Sequence, residues 1–222
     1  FYALPLLTTT KGEYTNAIFG FTKMFMQLLE KENPDFVAVA MDKSAPTFRE
    51  KYYESYKANR QKMPDELGVQ LPTIREIIAG YGVPVVELAG YEGDDIIGTM
   101  SRLAEESGLQ VKIVTSDRDV LQLVSELTTV LLTKKGISEL EEYTLQTVRD
   151  KYGFEPVKII DLKGLMGDQS DNIPGVPGVG EKTALKLLQQ FDSIEDILAN
   201  IEQVNGKKLK ERLIEHSDLA LI

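Results

Sequence analysis

Apolar residues follow two alternating patterns over the first two thirds of the chain. Apolar positions at helical spacing predict amphipathic helices, and short continuous apolar runs predict strands buried on both faces of a parallel sheet. Strands that alternate with helices predict an α/β fold. The predicted helices cover residues 17–30, 72–81 and 94–107, and the predicted strands cover residues 36–41, 84–88, 111–115, 127–132 and, as a short edge strand, 137–141.

The last third of the chain has a different pattern. After Asp150 it consists of helical segments separated by glycine-rich turns, without a clear strand. We therefore predict an α/β domain over residues 1–163 and a helical subdomain over residues 164–222. In the second part, Gly178-Val179-Gly180 followed by Lys182 and an amphipathic helix is a good match to a helix-hairpin-helix. Such hairpins bring backbone N–H groups close to the phosphates of duplex DNA and do not read its sequence.

Eight carboxylates occur in four short groups, and three of these groups follow predicted strands. Because ligands of open parallel sheets bind at the carboxyl ends of the strands, we expect these groups to converge. A pocket of like charge requires hard cations, and two such ions are the usual means of hydrolysing phosphodiesters. The groups are Asp42; Glu92, Asp94 and Asp95; Asp117 and Asp119; and Asp168 and Asp171.

These groups also have a plain structural interpretation. Carboxylates at the start of a helix interact with its free N–H groups, so one or two of Glu92, Asp94 and Asp95 could serve as caps alone. Capping explains three adjacent acids poorly, because their charges repel. One of Asp117 and Asp119 could likewise cap the next helix while the other binds a metal ion. The fourth group could be an ordinary polar turn.

The net charge of −10 argues at first against a nucleic-acid partner. Removing the eight grouped negative charges from −10 leaves −2, so the acidity belongs largely to the predicted site. Between residues 43 and 62, six basic residues outnumber two acidic ones and alternate with aromatic residues. Aromatic rings can stack on bases while cations pair with phosphates, which suits single-stranded nucleic acid. A solvated helix with tyrosines packed inward explains this pattern equally well.

Composition excludes several other classes of protein. Cysteine is absent and His216 is the only histidine, which excludes disulfides and thiolate sites and leaves a zinc site unsupported. The lack of cysteine fits a reducing cytoplasm. No apolar run approaches the roughly 20 residues that span a bilayer, so we predict no membrane helix. Both ends of the chain are apolar, and we expect them to be the edges of a fragment.

The ordered motifs resemble those of the bacterial 5′-nuclease (flap endonuclease) family, in particular its 5′→3′ exonuclease domains that precede a DNA polymerase. The motifs are Ala40-Met41-Asp42 with Phe48-Arg49, then residues 90–95, 115–119 and 164–175, and the resemblance covers the whole chain. It implies a mixed, mostly parallel sheet with helices on both faces, a helical arch at about residues 43–66, and a helix-hairpin-helix subdomain. It also implies a monomeric enzyme that cleaves 5′ flaps and RNA primers on branched duplex DNA. Such an enzyme would be joined to a polymerase in the bacterial cytoplasm, at the nucleoid.

The resemblance further implies roles for individual residues. Two Mg²⁺ or Mn²⁺ ions are expected, and a potassium ion can occupy the hairpin. The implied ligands of the first metal are Asp42, Glu92 and Asp94 with Asp95 nearby, and those of the second are Asp117, Asp119 and Asp171 with Asp168 in support. Arch residues that would contact the scissile phosphate or the 5′ strand are Arg49, Lys57 and Arg60, with Phe48 and Tyr56 also binding DNA. The implied contacts to duplex DNA are Gly175, Gly178, Gly180 and Lys182.

One motif departs from the family pattern. The family begins with a strand that ends in Asp-Gly, and its aspartate is a metal ligand that would lie just before Phe1. Without that carboxylate, we expect weaker metal binding and slower turnover. Two alternative functions are a catalytically impaired fragment that only binds DNA junctions and a ribonuclease of the PIN type. The long arch and the glycine-rich hairpin argue against the ribonuclease.

Overall fold

A computed structural model describes residues 1–2, 4–134 and 139–221 and confirms the predicted α/β fold. The strands are β1 (Val39–Ala40), β2 (Val85–Val86), β3 (Val111–Thr115), β4 (Thr128–Thr133) and β5 (Leu140–Tyr143). Helices of the α/β part are α1 (Asn16–Glu32), α2 (Phe48–Tyr52), α3 (Asp65–Gly68), α4 (Leu71–Gly80), α5 (Gly93–Glu106) and α6 (Leu145–Tyr152). The last third contains α7 (Ile159–Met166), α8 (Glu181–Leu188), α9 (Ile194–Ala199), α10 (Lys207–Glu215) and α11 (Ser217–Ala220).

The strands form two small sheets within the described ranges. β1 pairs in parallel with β2, while β3 pairs in parallel with β4 and β4 pairs antiparallel with β5. The pairing is therefore mixed and mostly parallel, as predicted, and α5 packs on both β1 and β3. The edge strand begins at Leu140, and residues 137 and 138 of its predicted range lie outside the described residues.

The first two strands are shorter and less buried than predicted. Only Val39 and Ala40 of the predicted strand 36–41 pair with a neighbour, and both are half-buried. Phe36, at the start of that range, is 80% exposed. No residue of the run 36–41 is fully buried, so burial on both faces was the wrong expectation for this run.

The hydrophobic core is continuous between the sheet of β3–β5 and the helical last third. Ile113 and Val130 belong to the same buried cluster as Leu165, Leu187 and Ile197. A second, smaller cluster lies between α1 and α4. The third and fourth carboxylate groups are thus supported by one core. No helix in the described ranges is long and apolar enough to cross a bilayer.

The start of α1 depends on a buried glutamine from the other side of the small cluster. Thr15 makes no side-chain cap at this helix end. Gln70 is 1% exposed, and its Oε1 accepts hydrogen bonds from the backbone N–H groups of Ala17 (2.8 Å) and Ile18 (3.1 Å). Its Nε2 donates to Asn16 Oδ1 (3.1 Å) and to the carbonyl of Glu66 (2.6 Å). All four bonds of this side chain are therefore satisfied inside the protein.

We expect Gln70→Leu to lower the free energy of unfolding by about 2 kcal/mol or more, because it leaves buried donors and acceptors unpaired. Urea denaturation measures the change. The matched control is Gln146→Leu on α6. Within the described ranges its amide donates only to the exposed Asp150, and we expect a change within about 0.5 kcal/mol. Equal effects of the two substitutions would contradict the capping role of Gln70.

Candidate active site

The structure gathers the carboxylate groups around one cleft of about 1100 Å³. Asp42 follows β1, the second group lies at the start of α5, and the third follows β3, so the elements bring strand ends and a helix start together. Asp168 does not line the cleft and is buried beside it, at 8% exposure. The carboxylates that line the cleft are Asp42, Glu92, Asp94, Asp95, Asp117, Asp119 and Asp171.

The basic residues of the 43–66 segment are inserted among these carboxylates. Arg49 forms a bidentate ion pair with Asp95, with both N–O distances 2.7 Å. Lys57 Nζ lies 2.7 Å from Glu92 Oε1, and Arg60 Nη2 lies 2.6 Å from Asp171 Oδ1. Among the described residues no three carboxylates are close enough to share a metal ion in this arrangement. Cations lie between acids of different groups: Lys57 Nζ is 2.7 Å from Glu92 Oε1 and 3.9 Å from Asp171 Oδ2.

Only short parts of the predicted arch are helical, namely α2 and the start of α3. The turn between them lies against the fourth carboxylate group. Lys57 donates its backbone N–H to the carbonyl of Asp171 (2.9 Å) and has a left-handed φ of 55°. Asn172 Nδ2 donates to the carbonyl of Ser55 (2.7 Å), and Asn59 Nδ2 donates to the carbonyl of Gln169 (2.6 Å). These contacts fix the segment across the cleft.

Tyr56 points into the cleft from a turn, not from a helix. Its hydroxyl lies 3.0 Å from both Glu92 Oε2 and Asp171 Oδ2. Burial, together with the negative charges of Asp171 and Glu92, raises the pKa of Tyr56 above its usual value. The phenol is therefore a neutral donor shared by two carboxylate groups. Tyr52, by contrast, is 86% exposed.

The fourth group contains one structural and one cleft-facing aspartate. Asp168 Oδ1 accepts hydrogen bonds from the backbone N–H (2.7 Å) and hydroxyl (2.6 Å) of Ser170, and Oδ2 pairs with Lys163. Burial alone would raise the pKa of Asp168, but the bonds from Lys163 and Ser170 outweigh it and lower the pKa to about 2. Asp168 thus shapes the turn that presents Asp171.

Sequence reasoning missed Lys163. This lysine of α7 also lies 2.7 Å from Asp119 Oδ1, so it joins the third and fourth carboxylate groups. The signal in the sequence was a lysine five residues before Asp168 in a helix whose only other charged residue is Asp161. Its partner Asp119 is far away in the chain, so only the fold shows the bridge.

Three carboxylates have no basic partner within ion-pair distance in the described ranges: Asp42, Asp94 and Asp117. Asp42 Oδ1 accepts from the backbone N–H of Gly93 (2.6 Å), and Asp117 Oδ1 accepts from that of Asp119 (2.9 Å). Partial desolvation in the cleft, with the nearby charges of Asp117 and Asp42, raises the pKa of Asp94 to about 6. This unneutralised set of oxygen donors has the chemistry that hard divalent cations prefer.

In metal-free protein, Asp94 should make stability fall as pH rises. Its folded-state pKa of about 6 is above its usual value of 3.8, so the stabilising proton is lost as pH rises through 6. Asp94 still reaches solvent, which screens the effect, so we expect Asp94→Asn to raise the unfolding free energy at pH 7.5 by only about 1 kcal/mol. Urea denaturation in EDTA at pH 4 and 7.5 measures this.

The neighbouring Asp95 is the matched control for that experiment. Its hydrogen bonds from Arg49, outweighing desolvation, lower the pKa of Asp95, and it also accepts from the backbone N–H of Glu92 (2.9 Å). Its stabilising effect is therefore present at neutral pH and lost in acid, so Asp95→Asn should destabilise the protein at pH 7.5. Effects of the same sign at the two positions would contradict this account.

The glycine-rich hairpin connects α7 to α8 through residues 167–180, which is longer than a tight two-helix turn. A Cβ atom on Gly175 would lie 2.2 Å from the backbone N of Gly167, and one on Gly178 would lie 2.2 Å from Arg212 Nη1. A Cβ on Gly180 would meet no atom of the described residues within 4 Å. Of these glycines, Gly180 alone leaves an open approach to backbone at the start of α8.

Carboxylates collected at strand ends, with lysine and arginine side chains among them, are the groups that metal-dependent cleavage of phosphodiesters requires. Residues 1–153 match the family described as 5′-3′ exonuclease, N-terminal resolvase-like domain, and residues 154–222 match 5′-3′ exonuclease, C-terminal SAM fold. The chain belongs to the 5′-3′ exonuclease family. This confirms the resemblance seen in the motifs.

Relatives with similar sequences are bacterial polymerases. The chain is 53% identical to DNA polymerase I of Bacillus subtilis and 52% identical to that of Bacillus caldotenax, in each case over all 222 residues. It spans a quarter of the length of these curated relatives, 25% in both cases.

Solved structures show the same fold at low sequence identity. A T5 5′-exonuclease with bound zinc has a TM-score of 0.76 at 21% identity, covering 91% of this chain and 78% of the other. A bacteriophage T5 flap endonuclease in complex with DNA and metal ions has a TM-score of 0.74 at 21% identity, with coverages of 91% and 78%. The catalytic core of Rad2 with a DNA substrate has a TM-score of 0.55 at 18% identity, with coverages of 89% and 62%.

Proposed function

We propose that this chain is a structure-specific, metal-dependent 5′-nuclease that hydrolyses phosphodiesters at 5′ flaps and RNA primers on branched duplex DNA. The observation that carries the proposal is one cleft lined both by carboxylates from all four groups and by the basic residues of segment 43–66. Similar structures that contain divalent metal ions or DNA support it. We further propose that the protein is a monomer, is joined to a polymerase, and acts at the nucleoid in the bacterial cytoplasm.

Two Mg²⁺ or Mn²⁺ ions fit the donor set, which consists of carboxylate oxygens alone. Asp42, Asp94 and Asp117 would hold them first, because these side chains carry no competing cation in the described ranges. Such ions supply electrostatic stabilisation of the charge that develops on phosphate oxygens. The remaining ligands would be carboxylates that now pair with basic side chains: Glu92, Asp95, Asp119 and Asp171, with Asp168 holding the turn.

The basic side chains have a second role once their carboxylates are neutralised. Lys57 Nζ lies 2.7 Å from Glu92 Oε1 and 3.9 Å from Asp171 Oδ2, between the second and fourth carboxylate groups. A phosphate bound by both groups of metal ligands would have to lie at this place. Arg49 and Arg60 flank it. Charge-assisted hydrogen bonds from these three groups would orient the phosphate, and Phe48 and Tyr56 would contact the strand.

The hairpin would hold the duplex part of the substrate. Gly180 leaves backbone N–H groups at the start of α8 open to a phosphate, and Lys182 adds positive charge in the first turn of that helix. Gly175 and Gly178 would shape the loop, where a potassium ion could also bind. Arg212, which packs against Gly178, is a further cation on this face.

Cleavage of fluorescent 5′-flap DNA tests the proposal. We expect cleavage near the junction in Mg²⁺, none in EDTA, and little on blunt duplex, 3′-flap DNA or single-stranded RNA. Flap binding without cleavage in Mg²⁺ would instead favour the junction-binding fragment. Preferred cleavage of single-stranded RNA would favour a PIN-type ribonuclease.

A further inference from the structure

Three aromatic rings from two distant segments meet at the edge of the cleft. The ring centroid of Phe48 lies 6.2 Å from that of Tyr52 and 5.6 Å from that of Tyr91. Phe48 is half-buried, whereas Tyr52 is 86% exposed and Tyr91 is 46% exposed. Phe48 and Tyr52 also line the cleft that holds the carboxylates. Tyr91 directly precedes Glu92, and nothing in its sequence context predicted its contact with α2.

The backbone that carries these exposed rings is held in place by hydrogen bonds and an ion pair. The backbone N–H of Phe48 donates to the carbonyl of Gly90 (3.1 Å), and the bidentate pair of Arg49 with Asp95 fastens the same turn to α5. At the start of α2 the backbone N–H of Thr47 donates to Glu50 Oε1 (3.0 Å). Exposing a large aromatic ring to water costs free energy. The exposed rings of Tyr52 and Tyr91 on a fixed backbone therefore indicate a surface that binds a ligand.

Charge and position select the ligand. The guanidinium of Arg49 lies 4.7 Å from the centroid of the Phe48 ring, so a cation borders the rings on the cleft side. Lys51 adds a second positive charge on the same short helix. Exposed rings next to cations suit single-stranded nucleic acid, in which bases can stack on the rings and phosphates can pair with the cations. An apolar protein partner bound to the same rings would block the entrance to the cleft, so it is the less suitable ligand.

We propose that Phe48, Tyr52 and Tyr91 form a stacking platform for one unpaired nucleobase next to the cleaved phosphodiester. The Phe48 ring is at 84° to that of Tyr52 and at 57° to that of Tyr91, so the base stacks on one exposed ring face and contacts the edges of the others. The proposal rests on the nuclease function above and adds a defined contact to it. The platform takes any base, because every base offers a π-face, and it fixes how far the strand enters the cleft. Tyr56, turned towards Glu92 and Asp171, is not part of it.

Binding of 5′-flap DNA with single abasic sites tests the platform. Fluorescence anisotropy in EDTA measures affinity without cleavage. We expect one or two adjacent positions near the junction where removal of the base weakens binding by about tenfold, the size of one base–aromatic stack. Tyr52→Leu and Tyr91→Leu should weaken binding of the intact flap about tenfold and leave the affinity for that abasic flap unchanged.

Matched controls are Tyr2→Leu and Tyr81→Leu, since Tyr2 is 83% and Tyr81 46% exposed and their ring partners are Phe1 and Phe25, not Phe48. They should leave both affinities unchanged, and Tyr52→Phe and Tyr91→Phe should retain binding. An abasic scan with no sensitive position would overturn the platform even if a leucine variant failed to fold. Equal losses on intact and abasic flaps would overturn it as well. Neither result depends on cleavage, so the absence of Mg²⁺-dependent hydrolysis would count against the nuclease function separately.

Discussion

Asp117→Asn is expected to reduce Mg²⁺-dependent cleavage of a 5′ flap at least about 100-fold, because even residues behind a metal ligand contribute 10–100-fold. Asp117 Oδ1 accepts a hydrogen bond from the backbone N–H of Asp119 (2.9 Å), and an amide oxygen can accept the same bond. The substitution therefore removes charge and preserves the local structure. Single-turnover cleavage rates and thermal melting, measured together, separate the two effects.

Asp171→Asn tests the other side of the cleft. Asp171 pairs with Arg60 and lies 3.0 Å from the hydroxyl of Tyr56, so we expect a similar loss of rate. Asp150→Asn is the matched control, because Asp150 is exposed on α6 and, among the described residues, its side chain accepts a hydrogen bond only from Gln146. Rates that stay unchanged in both Asp117→Asn and Asp171→Asn would refute the assignment of metal ions to this cleft.

Gly175→Ala is expected to lower the free energy of unfolding by about 3 kcal/mol, through overpacking and a left-handed backbone. Its Cβ would lie 2.2 Å from the N of Gly167 and 2.5 Å from the carbonyl carbon of Met166, and its φ is 60°. Backbone atoms cannot move aside as a side chain can. Urea denaturation measures the loss.

Gly180→Ala is the partner experiment in the same hairpin. Gly180 has a φ of −101°, which alanine adopts freely, and open space at its Cβ position. We expect unchanged stability but about tenfold weaker binding of duplex DNA, because a methyl group would obstruct the approach of a phosphate. Equal destabilisation by the two alanines would show that Gly180 too is only a packing residue.

Several elements were predictable because local pattern and tertiary environment agree. The strand 111–115 coincides with β3, where Ile113 is buried in the main core. The predicted helix 94–107 matches α5 within one residue at each end, since Glu92 and Asp95 form a capping box at its start. The interpretation of these acids as caps was therefore correct for two of them, without removing them from the cleft.

Other features depend on partners distant in sequence. Phe36 was predicted to lie in a strand but does not. An apolar run does not show which of its residues will have a neighbouring strand to pair with. Gln70 caps a helix that starts 54 residues earlier, and Lys163 joins two acid groups. No local pattern contains these contacts.

The sequence by itself determined the chemistry of this protein: which carboxylates, cations and glycines are available, and in what order. The spacing of these residues along strands and turns is sufficient to determine this, because local backbone geometry sets the end of the strand or helix at which each side chain is placed. The tertiary structure alone decided which charges meet. It left Asp42, Asp94 and Asp117 unneutralised, paired the other acids with Arg49, Lys57, Arg60 and Lys163, and brought Tyr91 to Phe48. Such pairings depend on how segments distant in the sequence pack together, and the local sequence pattern does not specify that packing.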